Sequence, residues 1–215
     1  MTRTARMLLV LVIGGGLTLP ACGDSADYYE SLQAASDRVE ERYVTLSLDA
    51  RTRLDSLSFA PISGWDPDVA RSAEQLLGEL GNPSHFTTEA VEIDLMMFRE
   101  LRAILLDSDA DMDEVEPHAE VAALHGEIHA VLREWSDLLA LIITELETAQ
   151  SSADLVGRLG TLDLSARFDD VHQRLDSTCV DLQSAAARDA SSVHFGGTWV
   201  GGPSGEATGV NLICG

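Results

Sequence analysis

The stretch VAALHGEIHAVLREWSDLLALIITEL, Val121 to Leu146, decides the fold. Val121, Leu124, Ile128, Val131, Trp135, Leu138, Ile142 and Leu146 step along it by three or four residues. An α-helix turns once every ~3.6 residues, so these side chains share one face over about seven turns. A helix that long with one apolar face needs other elements to cover it.

Helical patterns flank it on both sides. Downstream, Ser151-Ser152 marks a break, and Leu164, Phe168, Val171, Leu175, Leu182 and Ala186 then form a fifth stripe, with Cys179 beside it. Upstream, Thr87 or Thr88 opens a third helix through Val91, Leu95, Phe98, Leu101 and Leu105. This helix is expected to end in the acidic stretch Asp107 to Glu114. A second helix has Asp66 as cap, Pro67 in the first turn and a stop at Gly81 before Asn82-Pro83. Val69, Ala73, Leu76, Leu77 and Leu80 form its apolar face. The first helix can be capped by Asp24 or Ser25. Leu32, Val39 and Leu46 recur every seven residues, and Ala35, Tyr43, Ala50, Leu54 and Leu57 fill the steps between. It runs for about 30 residues before Phe59 to Trp65 breaks it. These patterns predict an all-α fold: an antiparallel bundle of about five amphipathic helices with a Gly-rich C-terminal tail. Aromatics are 5% of the chain, so Leu, Val, Ile and Ala supply most of the core.

The N-terminus has a different character. Arg3 and Arg6 precede an apolar run, Met7 to Leu19, followed by Leu19-Pro20-Ala21-Cys22. A basic start, a short apolar core and a small residue before a cleavage point describe a secretory signal. The run of about 13 residues falls short of the ~20 that a bilayer span requires. Leu19-Pro20-Ala21-Cys22 resembles the lipobox of bacterial lipoproteins, with Leu three residues before the Cys and a small residue just before it. The resemblance implies cleavage between Ala21 and Cys22, a diacylglycerol on the Cys22 thiol and acylation of the new amino group. A second chain matters physically, because one acyl chain holds a membrane only marginally. The expected organisation is a cleaved signal over 1–21, a lipidated tether over 22–25, a helical domain over 26–190 and a tail over 191–215. The expected location is extracytoplasmic, anchored by lipid to the outer face of the cell membrane or to the outer membrane.

Charge and cysteines bear on the same setting. The chain carries −22 at neutral pH, from 36 acidic residues and 14 basic ones. Loss of Arg3 and Arg6 with the signal leaves 12 Arg against 36 acids, or −24. Such a domain is repelled by nucleic acid and attracts basic protein partners or cations. With Cys22 assigned to lipid, Cys179 and Cys214 remain as an even pair in an oxidising compartment, which favours a disulfide. That bond would pin the Gly-rich tail to the fifth helix.

Two groups of side chains are candidates for chemistry. Asp107, Asp109, Asp111 and Asp113 alternate as a calcium loop begins. An EF-hand requires Gly at the sixth position and Glu at the twelfth, where this chain has Met112 and His118. What remains is an irregular divalent-cation site or an acidic interhelical loop. His118, His125 and His129 are expected on the fourth helix, within roughly 40° of one another. His125 and His129, four apart, could share a metal across one turn. The order His125-Gly126-Glu127-Ile128-His129 lacks the H-E-x-x-H of zinc proteases. The stripe lies about 120° from the apolar face, which predicts boundary or surface positions. No nucleophile elbow, Walker A loop or dinucleotide-binding glycine motif occurs. The reading is a non-enzymatic envelope lipoprotein with a binding or structural role and no cofactor. The alternative is a metal- or cofactor-binding one that uses the histidines or the acidic stretch.

Overall fold

The computed structural model describes residues 23–55, 80–83, 86–189 and 193. They form five helices: α1 (Gly23–Asp55), α2 (Thr88–Asp113), α3 (Ala122–Thr148), α4 (Ser152–Gly160) and α5 (Leu164–Arg188), with no strand among the described residues. The fold is all-α, as the periodicity predicts. Most of the expected second helix lies outside the described residues; its last residue, Leu80, is helical and buried. The Gly-rich tail also lies outside them.

α1 packs on α2, α2 on α3, and α3 on both α4 and α5. Cross-helix pairs give the directions. Arg38 and Arg42 of α1 meet Asp111 and Asp107 of α2. Arg99 of α2 meets Glu147 at the end of α3, whereas Asp109 meets Arg133 near its start. Asp189, just past α5, lies by His118, which precedes α3, and His172 packs on Trp135 farther along. Residue numbers rise in one helix as they fall in its neighbour, so α1, α2, α3 and α5 alternate in direction.

α3 lies at the centre. Ile128, Val131, Leu132, Leu138 and Ile142 are all fully buried. Burial of each such side chain stabilises by about 1.5–3 kcal/mol. Leu132 and Leu139 widen the stripe read from the sequence, because α3 has neighbours on more than one side.

Three boundaries differ from expectation. First, α2 continues through the acidic stretch to Asp113. The apolar face persists there in Met112, which is fully buried, and Arg side chains from α1 and α3 neutralise the aspartates. Tertiary contacts override the weak helix preference of Asp. The stretch is therefore helix, not the interhelical loop predicted. Second, α3 begins only at Ala122, so His118 lies in the connection before it. Pro117 lacks an N–H and biases Glu116 toward extended backbone, which keeps the two helices apart. Third, the Ser151-Ser152 break leads into a separate short helix. Ser151 caps α4 by accepting from the Asp154 N–H, while the Asp154 carboxylate accepts from the Gln150 N–H. Asp163 then turns the chain into α5 in the left-handed region, at φ 49° and ψ 38°.

Among the described residues, no helix is long and apolar enough to cross a membrane.

Candidate functional site

The start of α1, the end of α2, the start of α3 and the end of α5 meet at one end of the bundle. Their geometry follows from helical spacing. Along α2, Asp107 and Asp111 are four apart and share a face, as do Asp109 and Asp113. The two faces lie about 200° from each other. Asp107 and Asp111 accordingly point to Arg42 and Arg38 of α1, in ion pairs that are largely exposed. Asp109 and Asp113 point to the histidines of α3. The alternating run thus divides between two neighbours and forms no calcium loop.

A continuous chain of contacts crosses this end of the molecule. The Tyr28 hydroxyl lies 3.2 Å from His125 Nδ1. His125 Nε2 lies 3.1 Å from His129 Nε2. His129 Nδ1 lies 2.5 Å from Asp109 Oδ1, and Arg133 Nε donates to Asp109 Oδ2 at 2.8 Å. One set of tautomers satisfies every link: Tyr28 O–H donates to His125, His125 Nε2–H to His129, and His129 Nδ1–H to Asp109. Asp113 Oδ1 completes the surroundings, 3.7 Å from His129 Nε2.

Burial sets the electrostatics. His125 is 7% exposed, and the His129 and Asp109 side chains 12% each, whereas the Asp113 side chain is 66% exposed. The cluster is closed on the core side and opens to solvent through Asp113. The expected boundary or surface placement is therefore corrected for His125, which is buried, whereas His129 is partly buried at the boundary. The face about 120° from the apolar stripe is covered by Tyr28 of α1 and by the last turns of α2. Burial holds the His125 pKa below its ordinary value, the neighbouring His129 acts in the same direction, and Asp113 opposes both. Burial raises the Tyr28 hydroxyl well above its usual range. Tyr29 is also raised, first by burial and then by its hydrogen bond to Asp189. Both phenols thus stay protonated at neutral pH, as the donor role of Tyr28 requires.

His118 does not join His125 and His129. It packs edge-on against the rings of Tyr28 and Tyr29, with centroids 5.7 and 5.8 Å away. Its buried Nε2 lies 3.5 Å from Asp189 Oδ2 without a hydrogen bond. Tyr29 donates to that same oxygen at 2.8 Å. Of the six metal candidates read from the sequence, His125, His129 and Asp109 come together, and His118, Asp107 and Asp111 go elsewhere. Among the described residues no three His, Cys, Asp or Glu side chains form, as they stand, a group that could hold a metal ion. Tyr28, Tyr29, Arg133 and Asp189 were not found by sequence reasoning. Only the i,i+4 relation of Arg133 to His129 gave any signal.

Cys179 is buried on the inner side of α5. Cys22, Ala21 and Cys214 lie outside the described residues.

Comparison of the chain with protein-family models, with curated proteins and with solved structures returned no match.

Proposed function

We propose that this chain is a bacterial lipoprotein, cleaved after Ala21 and lipidated at Cys22. Its acidic helical domain has a non-enzymatic binding or structural role at the cell envelope. The observation that carries the reading is Leu19-Pro20-Ala21-Cys22 placed directly ahead of α1, which starts at Gly23. Tyr28 and Tyr29, six and seven residues past the Cys, are already core residues, at 2% and 0% exposure. A packed domain that begins so soon after Cys22 fits a short tether and leaves the apolar run before it as a removable leader. The net charge disfavours nucleic acid and favours a basic protein surface as partner.

Metabolic labelling with an alkyne fatty acid in a bacterial host tests the anchor. Wild type should incorporate label, partition with membranes and begin at a modified Cys22 by mass spectrometry. Cys22→Ala should abolish all three. An unlabelled wild type with a mature end elsewhere refutes the reading. The proposal also pairs Cys179 with Cys214. Thiol labelling of denatured, unreduced mature protein should find no free cysteine, and two labelled cysteines exclude the pair.

A further inference from the structure

We infer that His125 and His129 form two-thirds of a binding site for a borderline transition-metal ion such as Zn²⁺ or Cu²⁺, with the Asp113 carboxylate as third ligand and water completing the shell. The proposal does not depend on the lipid anchor. It rests on the geometry at the solvent-facing end of the cluster.

The spacing comes first. Two imidazole nitrogens bound to one tetrahedral ion at ~2.0–2.1 Å sit roughly 3.3 Å apart. His125 Nε2 and His129 Nε2 are 3.1 Å apart, both belonging to α3, one turn from each other. The remaining nitrogens are already engaged as those of metal-binding histidines are. His129 Nδ1 is held by Asp109, which Arg133 fixes from the other side. A carboxylate behind a histidine orients the ring and increases the basicity of its free nitrogen. The Nδ1 of His125 is held by Tyr28. Asp113 stands at the open side, its oxygen 3.7 Å from His129 Nε2. Its side chain is 66% exposed, so it can turn inward by rotation about its own bonds.

Proton accounting closes. Without metal, the proton between the two rings belongs to His125 Nε2. On binding, His125 takes the other tautomer: Nδ1 becomes the donor to the Tyr28 oxygen, and Nε2 presents its lone pair to the ion. No net proton is released from the neutral pair, and Tyr28 changes from donor to acceptor. Two nitrogens and one carboxylate suit Zn²⁺, Cu²⁺ or Ni²⁺; Ca²⁺ and Mg²⁺ require more oxygens than the site offers. The net charge of −22 draws cations toward the site without selecting among them.

The test uses the full chain, purified in detergent and stripped with a chelator. Zn²⁺ is titrated against a competing chromophoric chelator in excess Ca²⁺. One ion per chain is expected. His125→Ala and His129→Ala should each lower affinity at least tenfold, and Asp109→Asn by about 10–100-fold through loss of the charged acceptor that raises the basicity of the His129 ring. The Asp107→Asn, Asp111→Asn double variant should bind as wild type does, with circular dichroism confirming helix content throughout. Cu²⁺ electron paramagnetic resonance of the wild type should show coupling to imidazole nitrogen, a readout that needs no variant. No saturable binding, binding that survives both histidine substitutions, or a Cu²⁺ spectrum without nitrogen coupling would each overturn the site.

Discussion

Asp109 should be the most costly polar side chain of the histidine cluster to remove, and Asp109→Ala measures that cost. Its carboxylate accepts from two sides, and the two are unequal. His129 Nδ1 belongs to a side chain only 12% exposed, so without Asp109 its proton has little water to turn to. A buried donor left without a partner costs about 1–3 kcal/mol, and a hydrogen bond to a charged group contributes about 1.5–3. Relief from burying the carboxylate offsets part of the sum, which leaves about 2–3 kcal/mol. The Arg133 side chain is 58% exposed and recovers its hydration when the partner goes. For a domain of this size each kcal/mol moves the thermal midpoint by about 2–4 °C, so Asp109→Ala should lower it by about 4–12 °C. Asp109→Asn keeps an acceptor for His129 and should recover at least half of the loss. Arg133→Ala should lose only a small fraction of it. Calorimetry or thermal circular dichroism on the chelator-treated protein supplies the comparison. The argument fails if Arg133→Ala costs as much as Asp109→Ala, because the exposed arm would then dominate.

Four further outcomes follow from the same structure. Ile128 is fully buried in α3, so Ile128→Ala should cost about 2–5 kcal/mol in urea unfolding. Val180 is 64% exposed, and Val180→Ala should stay within ~0.5 kcal/mol. Burial keeps the pKa of His172 below its ordinary 6.5, with Asp169 and Asp176 pulling the other way. The unfolded chain then binds more protons just below pH 6.5, so this stabilising contribution is complete above ~6.5 and lost as pH falls toward the folded pKa. Wild type should therefore lose stability more steeply over that interval than His172→Gln; equal slopes would contradict the assignment. Asp163 holds a left-handed conformation, and Asp163→Gly should leave stability unchanged or raise it by up to ~1 kcal/mol, whereas Asp163→Val should lower it. A neutral valine at this position would show that the turn is not constrained.

Helix identity was legible because it is written locally. The α3 stripe from Val121 to Leu146 and the Thr87 cap, which accepts from the Ala90 N–H, need only neighbours within a few residues. The site was legible only in part, for the same reason. His125 and His129 are one turn apart, so their pairing could be read from spacing. Tyr28 meets His125 across 97 positions and Tyr29 meets Asp189 across 160, and no local pattern marks such contacts. The acidic stretch was misread because its aspartates lack partners in their own segment. Arg38, Arg42 and Arg133, which neutralise them, lie on other helices. The burial of His125 was missed because a single stripe assigns one covered face, and α3 has several.

The meeting of four helix ends gives the bundle a near end and a far end with respect to its own N-terminus. Tyr28 lies five residues past Gly23, where α1 begins, roughly 7.5 Å along the helix, while α3 carries the chain about 40 Å away before it turns. If the proposed anchor and ion both exist, they belong to the same end of the bundle, the one where α1 begins. A protein approaching the corner of α3 and α4 would stand a helix-length away from both. Two occupants could then share the molecule without touching, and any influence of one on the other would have to travel along α2 and α3.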